Sequence, residues 1–272
     1  MNDAARFAVH TATTKPWDLE TAVRKYAEAG VAGISVWKEA LEGHDAAKAG
    51  AMIRSAGLSA VSLVRGGFFP AALAAVRRER IRDNERLIRV ASALGAPLIV
   101  LVCGADPKVR IADARAQVEA GIEVILPFAE AEGVSLAIEP LHPMYAGDRS
   151  VINTLAEAND LCERFGSPSL GVAVDVFHVW WDPALEAQIA RAGRLGLIKA
   201  FHVCDWKTPV LDMLEDRGLM GEGCIDIPLI RGWVEAAGFN GFVEVEIFSR
   251  RFWAMDQDAW LRMILGALRE HV

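Results

Sequence analysis

Eight short apolar runs, each followed by a longer stretch of amphipathic character, set the strongest limit on how this 272-residue chain can fold. They are Phe7–His10, Ile34–Trp37, Ala60–Arg65, Leu98–Cys103, Val134–Glu139, Gly171–Asp175, Ile198–His202 and Phe242–Glu246. Such short runs, rich in Val, Ile and Leu, read as strands covered on both faces, the situation of a parallel sheet. The stretches between them predict helices over Trp17–Ala29, up to Ser55, up to Leu94, then Ala112–Ala131, Val151–Phe165, Pro183–Ala192, Ile227–Ala236 and Asp256–Arg269. Gly30, Gly57 and Gly95 stand where three of those helices must stop. Eight successive right-handed βα units close into a barrel more readily than they spread into an open sheet. The expectation is an α/β fold, a (β/α)8 TIM barrel, forming a single domain over residues 1–272.

Bulk properties narrow the partners. Hydrophobic residues make up 53% of the chain, enough for a large core. The net charge of −7 argues against a nucleic-acid backbone as the main partner, because phosphate binding needs a basic face. Cysteines 103, 162, 204 and 224 form no C-x-x-C pair, and Cys103 and Cys204 fall in apolar runs where a small buried thiol is the simplest reading. The first residues carry no basic-then-apolar leader, and no apolar run approaches 18 residues. The expectation is a soluble cytoplasmic protein with no membrane partner.

Chemistry concentrates where apolar runs end. In Val134-Ser135-Leu136-Ala137-Ile138-Glu139-Pro140 a buried strand runs into a carboxylate and is stopped by proline. A charge there is strongly disfavoured unless a cation or partner compensates it. Three later runs repeat the design, ending in Asp175, His202 and Glu246. In a barrel all strand C-termini share one face, so Glu139, Asp175, His202 and Glu246 would meet around one half of its rim. Three carboxylates and one imidazole form a hard, oxygen-rich set suited to Mn²⁺ or Mg²⁺, with Zn²⁺, Co²⁺ or Fe²⁺ also compatible.

Several motifs carry a family resemblance. The I-E-P run at Glu139, D-x-x-H at Asp175 to His178, F-H-V-x-D at His202 to Asp205, G-E-G-C-I-D at Gly221 to Asp226 and the closing E-V-E occur in order along the whole chain. Together they resemble the sugar phosphate isomerase/epimerase family of the xylose isomerase-like TIM barrel superfamily. The resemblance implies a metal-dependent isomerase or epimerase of a small sugar or keto-sugar, working by proton abstraction next to a carbonyl through an enediolate. It assigns the two acid–base roles to Glu139 and Glu246, and substrate contact to His178. Arg217 matches a substrate-binding arginine, although a solvated loop arginine accounts for it equally. Asp205 either orients His202, binds substrate or forms a loop salt bridge. Members of this group commonly form homodimers or homotetramers.

Strand ends supply further substrate-binding candidates: His10, Trp37, Lys38 and Arg65, with His142 just beyond Glu139. The loop after Glu139 reads Leu-His-Pro-Met-Tyr, where ketose epimerases of the family continue with a more acidic sequence. The basic rim suits a phosphorylated or carboxylated substrate, and neutral hydroxyls equally. Alternatives to the isomerase are a lyase of the inosose dehydratase type acting on a keto-polyol or keto-glycoside, a non-catalytic sugar-binding barrel, and an AP endonuclease. Six histidines and the acidic balance count against the last.

Overall fold

The computed structural model describes residues 6–272, and within them eight parallel strands close into a barrel in sequence order. The strands are β1 (Phe7–His10), β2 (Gly33–Trp37), β3 (Ser59–Gly67), β4 (Leu98–Val102), β5 (Ser135–Glu139), β6 (Leu170–Asp175), β7 (Ile198–Val203) and β8 (Val243–Val245). β8 pairs with both β7 and β1, which removes the sheet's edges. The helices are α1 (Leu19–Glu28), α2 (Ala46–Ser55), α3 (Ala74–Leu94), α4 (Ile111–Ala131), α5 (Leu155–Phe165), α6 (Val176–Val179), α7 (Leu185–Arg194), α8 (Ile227–Ala236), α9 (Arg250–Trp253) and α10 (Gln257–His271). The short α6, directly after β6, and α9, separated from β8 by residues 246–249, were not foreseen as helices. No helix among the described residues is long and apolar enough to cross a membrane.

The main apolar core lies between the strands and the helical ring. A second, smaller cluster joins Val64, Leu98, Val100, Ala137, Ala173 and Ala200. Residues two apart on a strand share a face. The pairs Ala137 and Glu139, Ala173 and Asp175, Ala200 and His202, and Glu244 and Glu246 therefore stack in layers inside the barrel. The alanines of the lower layer pack with Val64, Leu98 and Val100 as an apolar floor beneath the polar side chains.

Two local features shape the rim. The β3–β4 register shifts between Val64 and Gly66, so Arg65 is the extra residue of a bulge, a device that re-aims a side chain. Gly67 then takes φ 99° with a would-be Cβ 2.1 Å from Val102 O, a position only glycine fills. Buried Asn84 of α3 fastens this turn, accepting from Gly67 N at 2.7 Å and donating to Gly67 O at 2.8 Å.

Candidate functional site

Glu139 ends β5, Asp175 ends β6, His202 lies one residue before the end of β7, and Glu246 follows β8 by one residue. All four are buried, and one ligand atom from each falls within 4.8 Å of the others. His202 Nδ1 approaches Glu139 Oε1 to 3.1 Å, yet neither atom has a hydrogen-bond partner. Two ligands at right angles on a cation with bonds near 2.1 Å would stand about 3 Å apart. The facing, unpartnered atoms and the donor chemistry therefore fit a divalent ion.

The electrostatics describe the same crowding. Burial lifts the Asp175 carboxyl to about 7, and nearby Glu246 and Glu139 add to the rise against Arg217. Burial pulls the His202 imidazole down, but Glu244 with Glu139 and Glu246 outweighs it and holds the ring at about 10. Burial alone would raise Glu246, yet His10 and Arg217 hold it well below the usual carboxylate range.

Beneath this set lies Glu244, which reading the strand ends alone overlooks. Glu244 Oε2 accepts from Ser35 Oγ at 2.5 Å, and lies 3.2 Å from His10 Nε2 and 3.7 Å from His202 Nε2. His10, expected at the rim, is instead fully buried beside it, with Nδ1 3.1 Å from Glu246 Oε1. The two-residue strand period, applied backwards from Glu246, would have found Glu244.

Above the four candidate ligands opens a cavity of about 100 Å³ lined by Glu139, Glu246, His178, Arg217, Trp37 and Arg65 among others. Arg217 arrives from the β7 loop and is buried. One of its Nη atoms donates to Asp175 Oδ2 at 3.0 Å and to Glu246 Oε2 at 2.9 Å, while the other lies 3.1 Å from His178 Nε2. Burial, then Arg217, pushes the His178 imidazole well below its ordinary value and keeps it neutral. Trp37 lines the wall, and its Nε1 donates to His10 Nδ1 at 3.1 Å. Tyr145, of the Leu-His-Pro-Met-Tyr stretch, also lines the cavity, as do Arg149, Leu214 and Phe248, which were not singled out in the sequence because loop folding alone brings them there. Past Trp37, Leu214 and Phe248 lies an adjoining chamber of about 480 Å³.

Three other candidates do not line the cavity. Asp205 is buried, and its carboxylate accepts from the backbone amides of Trp206, Gly221, Gly223 and Ile225 at 2.8–3.1 Å, so its oxygens are committed to folding the loop. His142 accepts from Met144 N through Nδ1 at 3.2 Å and packs its ring 4.8 Å from that of Trp206. Lys38 opens the single turn Lys38–Leu41 after β2.

Relatives share this architecture. A solved structure of protein SMc04130 from Sinorhizobium meliloti 1021 is 44% identical, covers 98% of both chains and superposes with a TM-score of 0.95. A structure of the IolI protein with a bound zinc atom is 19% identical, covers 98% of both chains and has a TM-score of 0.86, a likeness of fold. The inosose isomerase of Halalkalibacterium halodurans is 24% identical over 187 residues, which span 66% of this chain and 64% of that relative's length. The family model described as "Xylose isomerase-like TIM barrel" matches residues 23–271. The chain belongs to the xylose isomerase-like TIM barrel family.

Proposed function

We propose that this chain is a divalent-metal-dependent sugar isomerase or epimerase that moves a proton at the carbon next to the carbonyl of a small polyhydroxy ketone. The observation that carries the reading is that Glu139 and Glu246, two buried carboxylates of the candidate ligand set, also line one cavity from β5 and from the end of β8. The similarity to an inosose isomerase supports it. Glu139, Asp175, His202 and Glu246 would hold the ion, with Mn²⁺ the first choice. When bound, such an ion polarises a carbonyl and stabilises negative charge developing on its oxygen.

The chain's own groups supply the rest. A carboxylate held within hydrogen-bond reach of the acidic C–H acts as general base, and a second one returns the proton. Arg217 pins Asp175 and Glu246 together, which restricts the Glu246 carboxylate to one orientation. Trp37, Tyr145 and Phe248 wall the cavity and limit water around the transferring proton.

Solvent exchange tests the reading. Metal-loaded protein in D₂O with ketoses and keto-inositols should place deuterium beside the carbonyl, and Glu139→Gln or Glu246→Gln should reduce this by about 10²–10⁴-fold. Unchanged product mass apart from deuterium identifies an isomerase or epimerase, whereas loss of water identifies a lyase. Absence of exchange in every compound, together with no effect of chelation, would sink the proton-transfer reading.

A further inference from the structure

We propose that the substrate carries an anionic group, a carboxylate or a phosphate, and that Arg65 and Arg149 bind it in the cavity that Glu139 and Glu246 line. The isomerase reading enters only in assigning the other end of the molecule to Glu139 and Glu246.

Three guanidinium groups line this cavity, and only one has buried carboxylate partners. Arg217 is held by Asp175 and Glu246. Arg65 is half-buried and has neither an ion pair nor a hydrogen bond among the described residues. What it has is aromatic support: its guanidinium lies 4.3 Å from the Phe68 ring centre and 5.9 Å from that of Trp37. Aromatic faces fix a guanidinium plane while leaving its N–H edge to find an acceptor elsewhere. The bulge at Arg65 and the constrained Gly67 after it hold the backbone that delivers this side chain.

Arg149 reaches the same cavity from the β5 loop. Its acidic neighbour is Asp148, at 3.9 Å and with 68% of its side chain exposed, a pairing too loose to occupy the guanidinium. Its position is set by the folded loop, where Arg149 N donates to Tyr145 O at 3.0 Å and the next residue, Ser150, bridges to Gly104. Burial and then the Arg149 charge oppose the charge on Arg65, while Glu39, Glu139 and Glu246 favour it. A divalent ion on Glu139 and Glu246 takes up the share of that favourable charge which those two carboxylates supply, leaving exposed Glu39 as the remaining acidic group acting on Arg65. Two converging guanidiniums with free donors then match one multidentate anion, whereas a neutral hydroxyl compensates neither charge.

D-fructose, D-fructose 6-phosphate and D-fructuronate share one ketose frame and differ at C6, so they separate the sources of charge. Calorimetric titration of the metal-loaded full chain should show at least one of the two anions binding about tenfold or more tightly than D-fructose. The preferred anion tells phosphate from carboxylate. Arg149→Gln, at a half-buried loop position without a tight ion pair, should remove most of that preference with little change in the thermal midpoint, and Arg149→Lys should restore part of it. Arg65→Met serves as the second variant, with circular dichroism to confirm its fold. The proposal is overturned if D-fructose binds as well as both anions, if neither anion binds, or if the preference survives in both Arg149→Gln and Arg65→Met. Deuterium wash-in separates the two readings. Exchange into D-fructose with no anion preference removes this proposal alone. Arg149-dependent anion binding with no exchange in any probe keeps the proposal and removes the isomerase.

Discussion

Glu244 Oε2 stands 3.7 Å from His202 Nε2, while the other ring nitrogen of His202 faces Glu139. Across that distance the buried carboxylate acts on the imidazole by its charge, which favours the protonated ring. Ser35 and Ser62 hydroxyls both point at this carboxylate, and the His10 ring lies between it and Glu246. Glu244 thus faces both rings from below without lining the cavity and acts on His202 through its charge. Glu244→Gln is expected to weaken Mn²⁺ binding by roughly 10–100-fold, measured by competition with a chelator. A change of less than about twofold would show that His202 is held by other means.

Metal affinity should climb with pH. Ligands must shed protons before they coordinate, and the metal-free site retains them on Asp175 up to about 7 and on His202 up to about 10. Below about pH 7 two protons oppose binding, and between about 7 and 10 one does, so the slope should ease near neutrality. Both folded-state values lie above the ordinary ones. At these two groups the folded metal-free protein keeps protons that the unfolded chain has shed, so their contribution to stability falls as pH rises, for Asp175 between 3.8 and about 7 and for His202 between 6.5 and about 10. Chelator competition at three pH values, with proton release measured in two buffers, checks the sign. A pH-independent affinity would remove Asp175 and His202 from the ligand set.

Asp205→Ala should loosen the β7 loop before it touches chemistry. The substitution strands four backbone amides that now donate to one buried carboxylate, at a cost of about 3 kcal/mol or more. Hydrogen exchange is expected to speed up at Trp206, Gly221, Gly223 and Ile225, with a lower thermal midpoint. Unaltered exchange at these amides would contradict this account of the loop.

The barrel was legible because each strand is covered on both faces, which leaves uninterrupted apolar runs such as Leu98–Val102. The candidate ligands were legible for the related reason that a carboxylate or imidazole closing such a run stands out. Glu244 was hidden in plain view: E-V-E places two carboxylates on one face, but a reading focused on strand ends keeps only Glu246. His10 ends its strand as Glu139 does, yet its ring is buried between Glu244 and Glu246 next to β8, a strand pairing that local periodicity does not reveal. Arg149, Tyr145, Leu214 and Phe248 reach the cavity through loop geometry, for which single-chain periodicity has no signal. Lys38 fails to arrive for the same reason, since β2 turns into a single helical turn at that residue.

Arg217 unites stability and site in one test. Its guanidinium is buried against Asp175 and Glu246, and removing one partner of a buried ion pair leaves the others uncompensated at about 3–5 kcal/mol. A divalent cation on the same carboxylates would supply much of the missing positive charge. Arg217→Met should therefore lower the thermal midpoint of the metal-free protein strongly and that of the Mn²⁺-loaded protein less, so the variant gains more from added metal than the parent does. Arg217→Lys keeps the charge but cannot span both carboxylates and His178 from one planar fork, so it should recover stability more fully than proton-transfer rate. Equal losses with and without metal would show that the ion does not share Asp175 and Glu246 with this arginine.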